Sequence, residues 1–259
     1  MKKINLFCLF VLITMLSACG GSSGDPATGT VEREPIIYIA GYYENIDGDS
    51  IAAVWKDGVR TDLAGPIAEA YSVYVSNGHV YAAGYYHNGA LDLDIAAVWK
   101  DGVKLYDLPI PSGTDVAYST SIYVSDGHTY VAGYYRTTKY IAAVWEDGVR
   151  TDFPAAGNND SFANSVYVSD GIVYVAGYYH NGANDIATIW KNGIKTDLAA
   201  AGHNSNAYSV YVSDGHVYVA GYDYIDSKFV VAIWKDGAAF SHIAGPVSGA
   251  YAYSIFVSK

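Results

Sequence analysis

Two phrases hold the side chains best suited to chemistry: Tyr85-Tyr86-His87-Asn88-Gly89 and Tyr178-Tyr179-His180-Asn181-Gly182. Aromatic faces beside imidazole and amide groups suit a sugar, because ring C–H surfaces stack on tyrosine while Asn, Asp and His reach the hydroxyls. The candidate ligand-binding residues are therefore Tyr86, His87, Asn88, Tyr135, Tyr179, His180, Asn181, His203 and Asn204. Copies of one shallow site would act together through avidity. The plainer alternative is that the Asn-Gly pairs only make turns and the tyrosines only pack.

A second chemistry would be glycoside hydrolysis, which needs two carboxyl groups about 5–10 Å apart. Glu69, Asp115 and Asp160 are the candidates, lying three, six and five residues before Ser72, Ser121 and Ser165. These unequal offsets break the repeat, and acids in turn-rich loops are usually solvated. No enzymatic activity is expected. Asp47-Gly48-Asp49 and Asp92-Leu93-Asp94 alternate acids without the longer ladder of a calcium loop. The seven histidines show no metal-ligand spacing, so neither a metal nor a cofactor is expected. No phosphate-cradling glycine loop or Gly-x-Ser-x-Gly elbow is present.

The elements that must position these residues are repeats. Trp55, Trp99, Trp145, Trp190 and Trp234 recur every 44 to 46 residues, within IAAVWKDG, IAAVWKDG, IAAVWEDG, IATIWKNG and VVAIWKDG. Four short runs rich in Val, Ile, Tyr and Trp make up each unit, typified by AYSVYVS, HVYVAGY, the tryptophan run and VRTDL. Their lengths and residue types predict strands. Asn-Gly or Asp-Gly separates the first run from the second and the third from the fourth, as tight type I′ hairpins require. Four antiparallel strands repeated five times predict an all-β, five-bladed β-propeller. The Ala-Gly pairs, such as Ala83-Gly84 and Ala132-Gly133, are expected to let blades approach where an aromatic of the next copy fills the space. The longer second-to-third and fourth-to-first connections share one end of the ring, which is the expected binding end.

The termini support closure. The last copy stops after YSIFVSK (Tyr253–Lys259), and the first begins with IIYIAGYY (Ile36–Tyr43). Pairing these segments would complete the fifth blade and hide two strand edges, making residues 35–259 one closed domain.

The chain has 259 residues, is 51% hydrophobic and 16% charged, and carries a net charge of −11. Losing Lys2 and Lys3 with a leader takes that to −13. Such an acidic body repels phosphate backbones, so no nucleic-acid partner is expected. Residues 1–18 combine Lys2 and Lys3 with an apolar stretch too short to span a bilayer. They end in Leu16-Ser17-Ala18, which with the following Cys19 resembles the bacterial lipobox, where the cysteine is lipidated. Cys19 is thus the expected lipidation site and the link to a membrane, with residues 19–34 as a polar tether. The other cysteine, Cys8, lies in the leader, so the folded body has no thiol or disulfide.

The run SVYVSDGHVYVAGYYHNG with IATIWKNG resembles the tandem repeats of uncharacterised bacterial envelope lipoproteins over residues 36–259. In blade count and repeat length it is also similar to tachylectin-type five-bladed lectins, though without a binding motif that matches residue by residue. The first resemblance, with Gly20 after Cys19, implies an outer-membrane lipoprotein facing the periplasm or the surface. That family implies a propeller domain without an assigned activity; the residues themselves favour a binding or interaction module for a glycan, with a structural or assembly partner of another envelope protein as the alternative.

Overall fold

Each Asp-Gly or Asn-Gly pair turns the chain as its residue types dictate. Asn77 sits at φ 50° and Gly78 at φ 79°, and the same signs recur at all nine such turns. The left-handed conformation is cheap for Gly and tolerated by Asn and Asp. The computed structural model describes residues 34–114, 116–200, 202–245 and 249–258. Within them the hairpins build an all-β unit of five consecutive antiparallel strand groups, sheets I to V, of which II and III join into one eight-stranded sheet.

Sheet I holds β1 (Tyr38–Glu44), β2 (Ser50–Lys56) and β3 (Val59–Asp62). Sheet II holds β4 (Ala68–Ser76), β5 (His79–Asn88), β6 (Leu93–Lys100) and β7 (Val103–Asp107). Sheet III holds β8 (Val116–Ser125), β9 (His128–Arg136), β10 (Tyr140–Glu146) and β11 (Val149–Phe153). Sheet IV follows with β12 (Ser161–Ser169), β13 (Ile172–His180), β14 (Asp185–Lys191) and β15 (Ile194–Asp197). Sheet V comprises β16 (Ser205–Ser213), β17 (His216–Ile225), β18 (Lys228–Lys235) and β19 (Ala238–Ala244). A single parallel bridge, Asp94 to Val116, links sheets II and III.

The first strand of each complete sheet carries a bulge that the sequence reading did not foresee. It falls between Ala70 and Ser72, Ser119 and Ser121, Ala163 and Ser165, and Ala207 and Ser209. Opposite each bulge stands the glycine of an Ala-Gly pair. A Cβ at Gly84 would lie 1.9 Å from the Glu69 carbonyl oxygen, and one at Gly133 would lie 2.1 Å from that of Tyr118. The expectation for these pairs is corrected: the room is taken by the backbone of the same sheet, not by an aromatic of the next copy.

A bulge re-aims the side chain beside it, and here it turns a serine toward the following sheet. Ser72 Oγ accepts the N–H of Ile122 at 3.0 Å, Ser121 that of Val166 at 3.2 Å, and Ser165 that of Val210 at 3.3 Å. Ser209 likewise accepts from Ile255 at 3.2 Å. Beside them a file of rings runs Tyr74, Tyr123, Tyr167, Tyr211, Phe256, with centroids 4.6 to 5.2 Å apart. First strand therefore follows first strand, in a propeller-like succession of sheets.

The core lies between sheets. Tyr81, Val98 and Leu108 of sheet II and its exit meet Ile122, Val131 and Trp145 of sheet III, and equivalent clusters fill the other junctions. Trp99 and Trp145 are wholly buried, their indole N–H groups donating to the carbonyls of Ala64 and Pro109 on the connection from the preceding sheet. Trp55 is only half-buried, and among the described residues no sheet precedes its own.

The expected fifth four-stranded blade is not formed. Sheet I has three strands, and residues 249–258 form none. A Cβ at Gly41 would lie 3.3 Å from a ring carbon of Trp55, where at its counterparts it would meet a first-strand carbonyl. The terminal segment stacks on sheet V through Ser209 and Tyr211, with its other edge unpaired to β1. Tyr42, Tyr253 and Phe256 stay 45%, 58% and 60% exposed at this seam.

Candidate functional site

At the end opposite the Asp-Gly turns, a second belt of rings is built where the strands pleat toward one another. Tyr85 meets Tyr118 of the next sheet with centroids 4.9 Å apart, Tyr134 meets Phe162 at 4.9 Å, and Tyr222 meets Tyr251 at 5.2 Å. Carboxylates accept from this belt: Glu69 from the Tyr71 hydroxyl at 2.6 Å, and Asp94 from that of Tyr118 at 2.8 Å. Burial, reinforced by the charges of Glu69 and Asp94, pushes the Tyr85 phenol up to about 12. Burial and Asp94 likewise raise Tyr118. The belt thus presents neutral phenols, with aromatic faces and hydroxyls side by side.

Carboxylates also orient the candidate imidazoles. His87 Nδ1 lies 3.0 Å from Asp94 Oδ1 and His180 Nδ1 3.1 Å from Asp185 Oδ1, each a cross-strand pair at the mouth of a second-to-third connection. His203 Nδ1 lies 3.1 Å from both oxygens of buried Asp223. A carboxylate at Nδ1 fixes the orientation of the ring and accepts a hydrogen bond from that nitrogen. Asn204 Oδ1 accepts the N–H of Asp185 at 2.9 Å. One corner between sheets IV and V therefore gathers His180, Asp185, His203, Asn204 and Asp223, while His87 and Asn88 stand apart in sheet II. The other asparagines hold turns: Asn88 Oδ1 accepts from Ala90 N–H, and Asn181 Oδ1 from those of Ala183 and Asn184.

Tyr86, Tyr135 and Tyr179 are placed differently from the belt. All three are buried, and their hydroxyls donate to Asp107, Asp152 and Asp197 at 3.2, 3.1 and 3.0 Å. Lys104, Arg150 and Lys195 cap the rings at 4.2, 4.8 and 3.6 Å from the centroids. Each is a clasp between the second and fourth strands of one sheet, with its ring face already covered. In sheet V the partners are exchanged. Asp223 stands where the tyrosine would be, and His242 where the aspartate would be, with Nε2 3.6 Å from the Asp223 carboxylate. The signal was present in the sequence as Gly221-Tyr222-Asp223 in place of Gly-Tyr-Tyr.

Of the candidate acids, Glu69 also faces Ser50 Oγ at 3.4 Å. Asp160 Oδ1 accepts the N–H of Tyr140 at 3.0 Å, the role that Asn204 fills for Asp185 one sheet later. Amide and carboxylate serve that position alike, so it works as an acceptor rather than as a charge. Asp115 and Cys19 lie outside the described residues. Among the described residues no group of three His, Cys, Asp or Glu is arranged to hold a metal.

No protein-family model matches the chain, and no curated protein does. Solved structures resemble it distantly. The computationally designed Ika8 protein is 15% identical over 81% of this chain and 75% of its own, with a TM-score of 0.41. The β-propeller domain of the Trilobed protease from Pyrococcus furiosus is 14% identical over 80% and 68%, with a TM-score of 0.46. An exo-1,5-α-L-arabinanase from a bovine ruminal metagenomic library is 11% identical over 83% and 95%, with a TM-score of 0.44.

Proposed function

We propose that the chain is a cell-envelope lipoprotein, anchored through Cys19, that presents a five-bladed propeller as a non-catalytic glycan-binding module. In this reading the segment Tyr253–Lys259 adds to Ile36–Tyr43 and completes sheet I as the fifth blade, a pairing that the described residues do not themselves make. The observation that carries the binding reading is the corner between sheets IV and V. There carboxylates pre-orient His180 and His203, and Tyr178, Tyr208 and Tyr222 lie close enough to Asp185 for its charge to help raise their phenols, after burial. Neutral phenols, aromatic faces and oriented imidazoles together match a sugar's alternating C–H and hydroxyl surfaces. Asp160 serving as a replaceable acceptor supports the absence of hydrolysis.

A glycan array probed with the purified protein tests this. Binding that free sugar competes away, and that His203→Ala weakens at least fivefold, is the expected result. A silent array, with an envelope protein crosslinked to the same face, would replace the lectin with an assembly role. Turnover of a polysaccharide that Glu69→Gln or Asp160→Asn abolishes would make it a glycosidase. Metabolic labelling with a fatty acid, lost on Cys19→Ala, tests the anchor.

A further inference from the structure

Two junctions between sheets leave a crevice at the same repeat position, near the Asp-Gly turns and away from the proposed glycan end. The one between sheets I and II has a volume of about 160 Å³ and a floor of Val54, Leu63, Ala82 and Trp99. The one between sheets III and IV has about 180 Å³ and a floor of Val144, Phe153 and Val175. The rim glycines, Gly102 and Gly193, occupy equivalent turns.

The junction between sheets II and III shows what fits. Thr61, Tyr106 and Thr151 hold one register position, opposite Val54, Val98 and Val144. Where the residue is Tyr106, its ring reaches the rim at Gly148, with ring carbons 4.0 Å from the glycine's would-be Cβ, and its hydroxyl bonds Thr129. At Thr61 and Thr151 that ring is missing and a crevice is left, with the Thr61 methyl at the rim of the first, 2.9 Å from a would-be Cβ at Gly102. Thr129 is replaced by Val80 and Val173 in the open crevices, so they offer no partner for a phenolic hydroxyl there. An apolar cavity of about 150 Å³ is enough for a benzene ring.

Charge then distinguishes the two. At the first crevice the exposed Lys56 ammonium stands 5.6 Å from the centroid of Tyr38. The Asp101 carboxylate on its rim is already met by the Val80 N–H at 2.9 Å and by His79 Nδ1 at 2.7 Å. At the second crevice Glu146 replaces the lysine and accepts from the Tyr130 hydroxyl at 3.1 Å. We infer that the crevice between sheets I and II is a binding site for a small aryl group bearing an acidic substituent. Its ring takes the place that Tyr106 fills next door, and its anion meets Lys56.

Phenylacetate and benzylamine, titrated separately into the full-length protein and followed by saturation-transfer NMR, test this site. Saturable phenylacetate binding on the order of 1 mM is expected for so small a ligand. Thr61→Tyr should fill the crevice and weaken that binding at least tenfold, and Lys56→Glu should reverse the preference toward benzylamine. Lys56 is exposed, so its variant stays informative even where a filled crevice disturbs folding. Absence of saturable binding, or binding indifferent to both substitutions, overturns the inference. None of these outcomes bears on the glycan array, which reads the other end.

Discussion

Sheets I and III carry almost the same words, IAAVWKDGVRTDL and IAAVWEDGVRTDF, and fare differently. In sheet III the tryptophan is wholly buried and bonded to Pro109, and Gly133 lies under a bulged first strand. His128 and the Thr129 N–H both engage Asp147 there. In sheet I the tryptophan is half-buried and Gly41 has no backbone over it. Ile36 holds the histidine's place, leaving Asp57 the Ile37 N–H. The three outer strands thus make a sheet on their own, but the core comes from a first strand and a preceding sheet.

The largest effect that should break this contrast is at the tryptophans. Trp145→Ala is expected to cost about 3–5 kcal/mol, the range for deleting a buried aromatic. Trp55→Ala should cost roughly half as much, since part of its surface is already in water. Urea unfolding followed by circular dichroism compares them, and equal losses would mean that sheet I is closed in solution. Next come the glycines. Gly133→Ala drives a methyl into a carbonyl and should cost about 1–3 kcal/mol, as overpacking does, whereas Gly41→Ala needs only a small shift of an indole ring. A thermal melt in which both fall alike would place a first strand over Gly41. Tyr135→Phe should cost about 1 kcal/mol by losing its bond to Asp152, read in the same melts.

The smallest effect is in pH. The Asp147 bond raises His128 above its ordinary 6.5. Burial pushes Asp147 up, yet the N–H of Thr129 and the imidazole bring it net below 3.8. The aspartate's contribution is present above that ordinary value and fades as pH falls through its depressed one. The histidine's is full below 6.5 and fades as pH rises through its raised value. The clasp should therefore hold best between about pH 4 and 6.5. An NMR titration in which Asp147→Asn leaves the His128 midpoint unchanged would show that the pair is not formed.

The hairpins were legible because Asn-Gly and Asp-Gly fix backbone sign locally, and the strands because each run is short and β-branched. The bulges were not legible: Ala70-Tyr71-Ser72 contains no glycine or proline, and the only trace is the glycine in the partner strand. Neighbouring tyrosines were read as one surface. Strand alternation separates them, sending Tyr85 into the belt of rings and Tyr86 into a buried clasp. The corner of His180 and His203 was named residue by residue, but its carboxylates come from other strands, up to 20 residues away. Only the register of the sheets brings those groups together.

A ribosome delivers this protein from its N-terminus, and the order has a consequence for β1. Sheets II to V each acquire all four strands within one continuous stretch of chain. Sheet I is the first of the described sheets to emerge and has a bare edge at β1, and Ile36 and Ile37 just before that strand stay 57% and 41% exposed. Open edges recruit foreign strands. Nascent chains crowded on one message therefore run a risk of cross-pairing at β1.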